Sequence, residues 1–130
     1  MTASSPKPNR FEHDVTPDRN SDQVYLLHML DCIEHIFEYT ERSEAHFRAN
    51  RMVRDAVVRN LQIMAESSQR LSDEVKGIAP NVPWREISGF RNVLAHDYLG
   101  LDIDVIWEVI ADRLEPLRVE LVRLIRASNG

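Results

Sequence analysis

The sequence has little of several features that define other protein classes. Its 130 residues include one cysteine, so no internal disulfide can form, and four glycines, too few for a collagen-like chain. Charged residues interrupt every apolar stretch before the roughly 18 consecutive apolar residues that a membrane-spanning helix needs. The N-terminus lacks the basic region and apolar core of a signal peptide. These absences predict a soluble, cytoplasmic protein of about one domain's length.

The chain also has no excess of positive charge. Sixteen Lys and Arg face 21 Asp and Glu, for a formal net charge of −5 at pH 7. Its overall field therefore does not attract a polyanion, and any nucleic-acid site must be a local basic patch. Arg51, Arg54 and Arg59 are the first candidates for contact with RNA or an acidic partner, although a solvated helix face is the more ordinary interpretation.

The apolar residues that are present recur with the period of an α-helix. Residues 1–20 contain three prolines and few apolar side chains, which predicts a flexible N-terminal extension. Asn20 resembles the N-cap of a first helix that ends near residues 39–42, and a polar connection with a short turn follows at 43–50.

Helix-breaking and capping residues predict the remaining boundaries. The second helix continues until Gly77 and Pro80 stop it, Pro83 opens a third, and Asp102 caps a fourth. Pro116 lies inside the fourth pattern, where the missing amide hydrogen requires a kink or a restart. With no strand pattern competing, the sequence predicts an all-α bundle of four to five helices over residues 21–127.

Polar residues interrupt the third helix in an unusual place. Arg91 and Tyr98 fall on its apolar arc, and Asn92 and His96 lie on the bordering stripe. Burying an unpaired guanidinium costs several kcal/mol, so Arg91 must meet a carboxylate, carbonyl groups or an anionic ligand such as phosphate. The ordinary interpretation is an Arg and a His paired with neighbouring acids.

The same four residues can cleave a phosphodiester without a metal. His96 would exchange a proton with a 2′-hydroxyl or a leaving oxygen, and Arg91 would stabilise the charge that develops on the phosphate. Cleavage removes one proton from the 2′-hydroxyl and supplies another to the leaving oxygen, which is easier with two histidines than with one. We call Arg91, Asn92, His96 and Tyr98 the polar wedge. A two-fold dimer that brings two such wedges together would supply the second histidine and form a composite site.

Two other sets of side chains invite a functional interpretation. His28, Cys32 and His35 are spaced to approach one zinc ion, but three loosely matched ligands from one helix are more often part of a solvated face. Trp84 and Trp107 are most simply aromatic residues of the core or of a dimer interface.

The stretch from Arg91 to Tyr98 resembles the signature of the HEPN superfamily in its HepT-like toxin branch, in which Arg, four residues, His, one residue and Tyr follow one another. The resemblance extends from about residue 22 to 125. It includes Arg59-Asn60-Leu61 followed by Glu66, Pro83-Trp84-Arg85-Glu86-Ile87 before the motif, and Asp102 and Trp107 after it. One departure is Ala65, where relatives commonly have Gly.

This resemblance implies a homodimeric, HEPN-like helical bundle that acts as a metal-independent RNA endonuclease, the toxin of a type VII-like toxin-antitoxin pair. It assigns Arg91 and His96 as the catalytic pair and Asn92 as their supporting residue. It also implies a minimal nucleotidyltransferase antitoxin that transfers AMP from ATP to Tyr98. The chain itself would use no metal and no cofactor, because ATP belongs to the partner's reaction.

A second function class remains open from the sequence. The same bundle can be a non-catalytic binding module, presenting Tyr98 to a nucleotidyltransferase as its substrate or partner subunit. The acidic net charge favours this alternative slightly, because a ribonuclease usually gains from a basic surface. Growth arrest on expressing the chain alone is expected only of the ribonuclease.

Overall fold

The structure, a computed structural model, describes residues 19–96 and 102–129, and the side chains of residues 21–94 and 102–128. This part of the chain is helical and contains no strand, which confirms the predicted all-α class. The predicted extension at 1–20 lies outside the described residues up to position 18. The first helix already includes Asn20, so the prediction that Asn20 is its N-cap is wrong.

Seven α-helices and one π-helical segment are described in these two ranges. In chain order they are α1 (Arg19–Thr40), α2 (Glu44–Ala49), α3 (Arg51–Gln69), α4 (Asp73–Ile78), α5 (Trp84–His96), α6 (Ile103–Glu108), the π segment (Val109–Arg113) and α7 (Leu114–Asn129). Four long units, α1, α3, α5 and α6 with its continuation into α7, make the bundle. None of the described helices combines the length and the apolar character that crossing a membrane requires.

The core lies where α1 and α3 meet, with α7 on the other side of α1. Leu26, Ile33 and Ile36 of α1 are fully buried, as are Leu61 of α3 and Leu121 of α7. Leu26, Ile33 and Ile36 lie seven and three residues apart, so they belong to the continuous apolar stripe that holds such a helix in a bundle. In the described chain, α5 has its extensive contact with α3 alone, so α5 forms an edge of the bundle.

The second long helix ends earlier than the sequence predicts. It stops at Gln69, well before Gly77 and Pro80, and α4 begins as a separate helix after Ser72. The side chain of Ser72 accepts the amide of Val75, while the buried carboxylate of Asp22 accepts both the amide and the hydroxyl of Ser72, at 2.8 and 2.6 Å. This N-cap, reinforced from α1, turns the chain at a point where the apolar pattern continues unbroken.

The other boundaries agree more closely with the sequence. The first helix ends at Thr40, within the predicted range, and the polar connection after it contains the short helix α2, capped by Ser43. Asp102 caps α6 by accepting the amide of Asp104. The interruption predicted at Pro116 takes the form of the π segment just before it, which removes the clash between a proline ring and the carbonyl four residues earlier.

Both tryptophans pack against the core, as predicted. The indole of Trp84 donates to the carbonyl oxygens of Lys76 and Ala79, at 3.2 and 3.0 Å, and so ties the start of α5 to the end of α4. Trp107 meets the ring of the buried Phe47, with 5.5 Å between centroids.

Candidate functional site

Arg91 on α5 meets a carboxylate of the neighbouring helix. Its Nε donates to Oε2 of Glu66 on α3 at 3.2 Å, and 44% and 45% of the two side chains remain exposed. A carboxylate was one of the three kinds of partner expected for Arg91 from its position on the apolar arc, beside carbonyl groups and an anionic ligand. Because nearly half of the Arg91 side chain is exposed, the pair also leaves Arg91 accessible to an anionic ligand such as phosphate.

Hydrogen bonds one turn away fix α5 against α3. The hydroxyls of Ser68 and Ser88 lie 2.9 Å apart, and the side-chain amide of Gln69 donates to the carbonyl of Ser88 at 3.0 Å. Ser68 is fully buried and also donates to the carbonyl of Ala65. Directional contacts of this kind set how far α5 slides along α3, and therefore which residue of α3 lies opposite Arg91.

The structure describes the remaining motif residues in part: Asn92 completely, His96 by its backbone alone, and Tyr98 not at all. Asn92 is exposed next to Arg91, as a residue able to support a ligand must be. His96 is the last residue of α5, and its side chain lies outside the described residues, as does the whole of Tyr98. The predicted wedge is therefore placed through Arg91, Asn92 and the backbone of His96.

The three candidate arginines of α3 have different surroundings. The guanidinium of Arg54 donates to the carbonyls of Phe47 and Arg48, so it closes the C-terminal end of α2. Arg51 is largely exposed, with its Nε 3.9 Å from the carboxylate of Asp55. Arg59 is exposed and lies two helical turns before Glu66, on the same side of α3. Of the three, Arg59 is the one placed on the side of the Arg91–Glu66 pair.

Other arginines near these positions are neutralised locally. Arg48 donates to Glu44 at 2.8 Å and to Asp104 at 2.5 Å, and Arg42 pairs with Glu115 at 3.2 Å. A hydrogen bond from Arg118, with a smaller contribution from Arg42, lowers the pKa of Glu115. These ion pairs link α2 and the connection before it to α6 and α7, and they leave less free positive charge than the sequence indicates.

The alternative zinc site on α1 does not form. Cys32 is buried in the core, contrary to the predicted solvated face, whereas His28 and His35 are exposed and contact the rings of Tyr25 and Tyr39. Burial, with a smaller contribution from Asp31, raises the pKa of the Cys32 thiol to about 11. Across the described ranges, no group of three His, Cys, Asp or Glu side chains is placed to hold a metal ion.

Sequence reasoning gave no role to Glu66 or Ser88, the two residues that position Arg91 and its helix. A carboxylate partner for Arg91 was one expected outcome, but α3 and α4 offer several acids. Which of them faces Arg91 depends on the stacking of two helices 25 residues apart in the chain. The apolar period of each helix does not determine that stacking.

The sequence matches a known protein family over most of its length. The profile described as "Ribonuclease HepT-like" matches residues 29–124, most of the chain and all of the motif from Arg91 to Tyr98. The chain belongs to the ribonuclease HepT-like family. The resemblance of the Arg91-to-Tyr98 motif to the HepT-like branch is thereby confirmed.

Curated relatives agree with this assignment. The "Probable ribonuclease HepT" of Thermococcus cleftensis is 31% identical over 82% of this chain and 97% of its own length. A "Putative RNase" of Methanocaldococcus jannaschii is 31% identical over 76% of this chain and 92% of its own length. A further protein of that organism, named "Gamma-glutamylcyclotransferase and putative RNase", is 32% identical over 82% of this chain, which spans about half of its length. No solved structure matches the chain.

Proposed function

We propose that this chain is a metal-independent RNA endonuclease in which Arg91 and His96 are the catalytic residues and Asn92 supports them. The observation that carries the proposal is the half-exposed guanidinium of Arg91, held beside Asn92 on an edge helix that ends at His96. Membership of the ribonuclease HepT-like family, whose curated relatives are named as ribonucleases, supports the same chemistry.

The reaction needs one proton removed and one supplied. The 2′-oxygen of the RNA attacks the adjacent phosphorus and gives its proton to an imidazole, and the bond from phosphorus to the 5′-oxygen breaks. A second imidazole protonates that leaving oxygen. Arg91 stabilises the negative charge that builds up on the phosphate. The products are a 2′,3′-cyclic phosphate and a 5′-hydroxyl, and two copies of His96 provide the two imidazoles.

The exposed side of α5 supports a homodimer as the source of the second His96. Arg85, Gly89, Asn92 and His96 follow one another at intervals of four, three and four residues, the spacing of a seam between helices. A Cβ at Gly89 would meet nothing within 4 Å, so no described residue of the protomer requires glycine there. Glycine inside a helix costs about 1 kcal/mol relative to alanine, and a second α5 crossing closely at Gly89 would offset that cost.

The proposal extends to a toxin-antitoxin pair. In it, a minimal nucleotidyltransferase antitoxin neutralises the nuclease by transferring AMP from ATP to the phenol oxygen of Tyr98, with release of pyrophosphate. Tyr98 lies two residues after His96 in the sequence, so bulk and negative charge added there would oppose binding of an RNA phosphate.

The first test compares cleavage of RNA by the purified protein and its variants. Arg91→Ala and His96→Ala should each reduce the rate by at least about a hundredfold, the scale of a lost acid-base or charge-stabilising group. Arg126→Ala removes an exposed arginine of α7 that belongs to neither the site nor the seam, so this control should cleave RNA at the parent rate. EDTA should leave the rate unchanged. Cleavage by His96→Ala at the parent rate would contradict the assignment.

A second test addresses the antitoxin. The intact mass of the protein is measured after incubation with ATP and the minimal nucleotidyltransferase proposed as its antitoxin, and the RNA-cleavage assay is repeated on the product. Mass gain in AMP steps, absent from Tyr98→Phe, together with loss of cleavage is the expected result. The control is Tyr39→Phe, which removes an exposed tyrosine of α1 and should gain AMP as the parent does.

The formal charge of −5 favours one other function, a non-catalytic module that presents Tyr98 to a nucleotidyltransferase. The same two tests separate the proposals, because this module would gain AMP without cleaving RNA in either form. Expression of the chain alone would then not arrest growth.

A further inference from the structure

A groove of about 470 Å³ runs between α5 and the continuous helical unit of α6, the π segment and α7. It lies on the opposite side of α5 from Asn92, because Ile87 and Phe90 line it. Val109 and Leu117 form the facing wall, and Met64 of α3 contributes to its floor. The groove is therefore a second surface of α5, and neither Arg91 nor Asn92 lines it.

The facing wall is one uninterrupted helical stripe. Its lining residues lie one to three positions apart, from Val105 through Val109 and Pro116 to Glu120. The fifteen residue steps from Val105 to Glu120 correspond to about 22 Å, or four turns. An extended apolar channel of this length matches three to four turns of a docked helix better than it matches a compact small molecule.

The rim of the groove is acidic. Glu86, Glu108, Asp112 and Glu120 line it, against Arg113 as the one lysine or arginine among the lining residues. Glu120 is paired with Arg123 at 2.8 Å. No ion pair from a described residue reaches Glu86, Glu108 or Asp112. The apolar floor thus lies between carboxylates with no partner in this part of the protomer.

This charge pattern limits what can occupy the groove. A nucleic acid would bring phosphates against the rim, so the groove does not suit RNA. A second copy docked by a two-fold axis through the groove would place like carboxylates against one another, because such an interface brings the same patch from both subunits together. The complementary occupant has an apolar face flanked by positive charge.

We propose that this groove docks a cationic amphipathic helix of a partner protein. Apolar residues spaced at i, i+3, i+4 and i+7 on that helix lie against Ile87, Phe90 and Val109. Lysine or arginine residues on its flanks meet Glu108 and Asp112 on one rim and Glu86 on the other. Arg91 does not line the groove, so the partner and an RNA can be bound at the same time.

The test measures binding of two labelled peptides to the full-length protein by fluorescence anisotropy. The first is a helical peptide of about 18 residues with leucine at i, i+3, i+4 and i+7 and lysine on the flanks; the second has glutamate in place of every lysine. The lysine peptide should bind at least about tenfold more tightly than the glutamate peptide. Raising NaCl from about 0.05 to about 0.5 M should weaken its binding severalfold.

Matched variants locate the binding site. Val105→Asp lies in the groove, and Val119→Asp is the control on the same helical unit; the two valines are equally exposed, at 45%. Val105→Asp and the double variant Glu108→Lys with Asp112→Lys should each weaken binding of the lysine peptide by about tenfold or more, and Val119→Asp should not. Thermal unfolding of each variant verifies that the fold is retained.

Several results would overturn the proposal. They are equal binding of both peptides, loss of binding in Val119→Asp as in Val105→Asp, or no binding of the lysine peptide at about 100 μM. Conversion of a dimer to a monomer by Val105→Asp alone in sedimentation would make the groove a self-interface. Tight binding of a small apolar dye without the peptide would make it a ligand pocket. RNA cleavage reports on Arg91 and His96 independently, so either proposal can fail alone.

Discussion

At the scale of single residues, the site depends on how Glu66 holds Arg91. One carboxylate oxygen accepts from Nε, which fixes the plane of the guanidinium, and 44% of the side chain stays exposed. An exposed ion pair of this kind contributes little to stability, about 0 to 1 kcal/mol. Its value lies in orientation, since a guanidinium already held in one plane loses less freedom when it binds a phosphate.

We therefore expect Glu66→Gln to lower kcat for RNA cleavage by about tenfold with little change in KM, because a neutral amide cannot accept from Nε as strongly as a carboxylate. Glu86→Gln, an exposed glutamate on α5 that does not contact Arg91, is the control. The NMR signal of the Arg91 Nε–H group should shift in Glu66→Gln and not in Glu86→Gln. A Glu66→Gln enzyme that cleaves faster than the parent would instead make Glu66 an inhibitory partner.

At the scale of helices, the sequence predicts the elements better than it predicts their ends and contacts. The period of apolar residues identifies α1, α3, α5 and the unit of α6 and α7, and Asp102 marks the start of α6 correctly. The end of α3 is missed because Leu71 and Val75 keep the helical period past the true boundary. The turn depends on Asp22, which is 50 residues away in the chain.

For the site too, the sequence predicts local properties of a helix better than contacts between helices. A guanidinium on an apolar arc predicts that Arg91 needs a partner, and this is a local property of α5. That the partner is Glu66, and that Ser68 and Ser88 set the register, depends on contacts between two helices. Likewise, spacing places Cys32 on a face with His28 and His35, but α1 buries more of its circumference than one stripe, because both α3 and α7 pack on it.

The contact between α1 and α4 gives a prediction for stability. Asp22 is 3% exposed and accepts two hydrogen bonds from Ser72. Asp22→Ala should lower the free energy of unfolding by about 2 to 3 kcal/mol, because it leaves a buried amide and hydroxyl without their acceptor. Urea denaturation checks this, with Glu38→Ala, an exposed acid on the same helix, as control. A change below about 0.5 kcal/mol would show that Ser72 finds another partner.

At the scale of the whole molecule, α5 separates two surfaces of different character. Asn92 lies on one side of α5, with Arg91 and Glu66 at its contact with α3, and the acidic groove borders another side. A net charge of −5 is thus compatible with local binding of a phosphate, because the acidic residues of the rim line the groove and Arg91 does not. The helix at the edge of the bundle organises both proposed functions.

The composite site predicts that one inactive subunit disables its partner. Cleavage needs both copies of His96, so a mixed dimer of the parent and His96→Ala, which holds one imidazole, should be inactive. After the two proteins are unfolded and refolded together in equal amounts, about half of the dimers are mixed. Activity per parent subunit should then fall to about half. Unchanged activity, with mixed dimers verified by mass, would place each site within a single subunit.

The π segment at Val109–Arg113 has a consequence for the comparison of aligned relatives. A π turn accommodates about one residue more than an α turn, so deleting one residue there would leave an ordinary α-helix. Because the π turn takes up that residue within one turn, the helix before it would keep its rotation relative to α7. Ile106 would stay in the core, and Val105 would stay in the groove. A one-residue gap at this point in an alignment therefore identifies relatives that keep the same groove wall without the π turn.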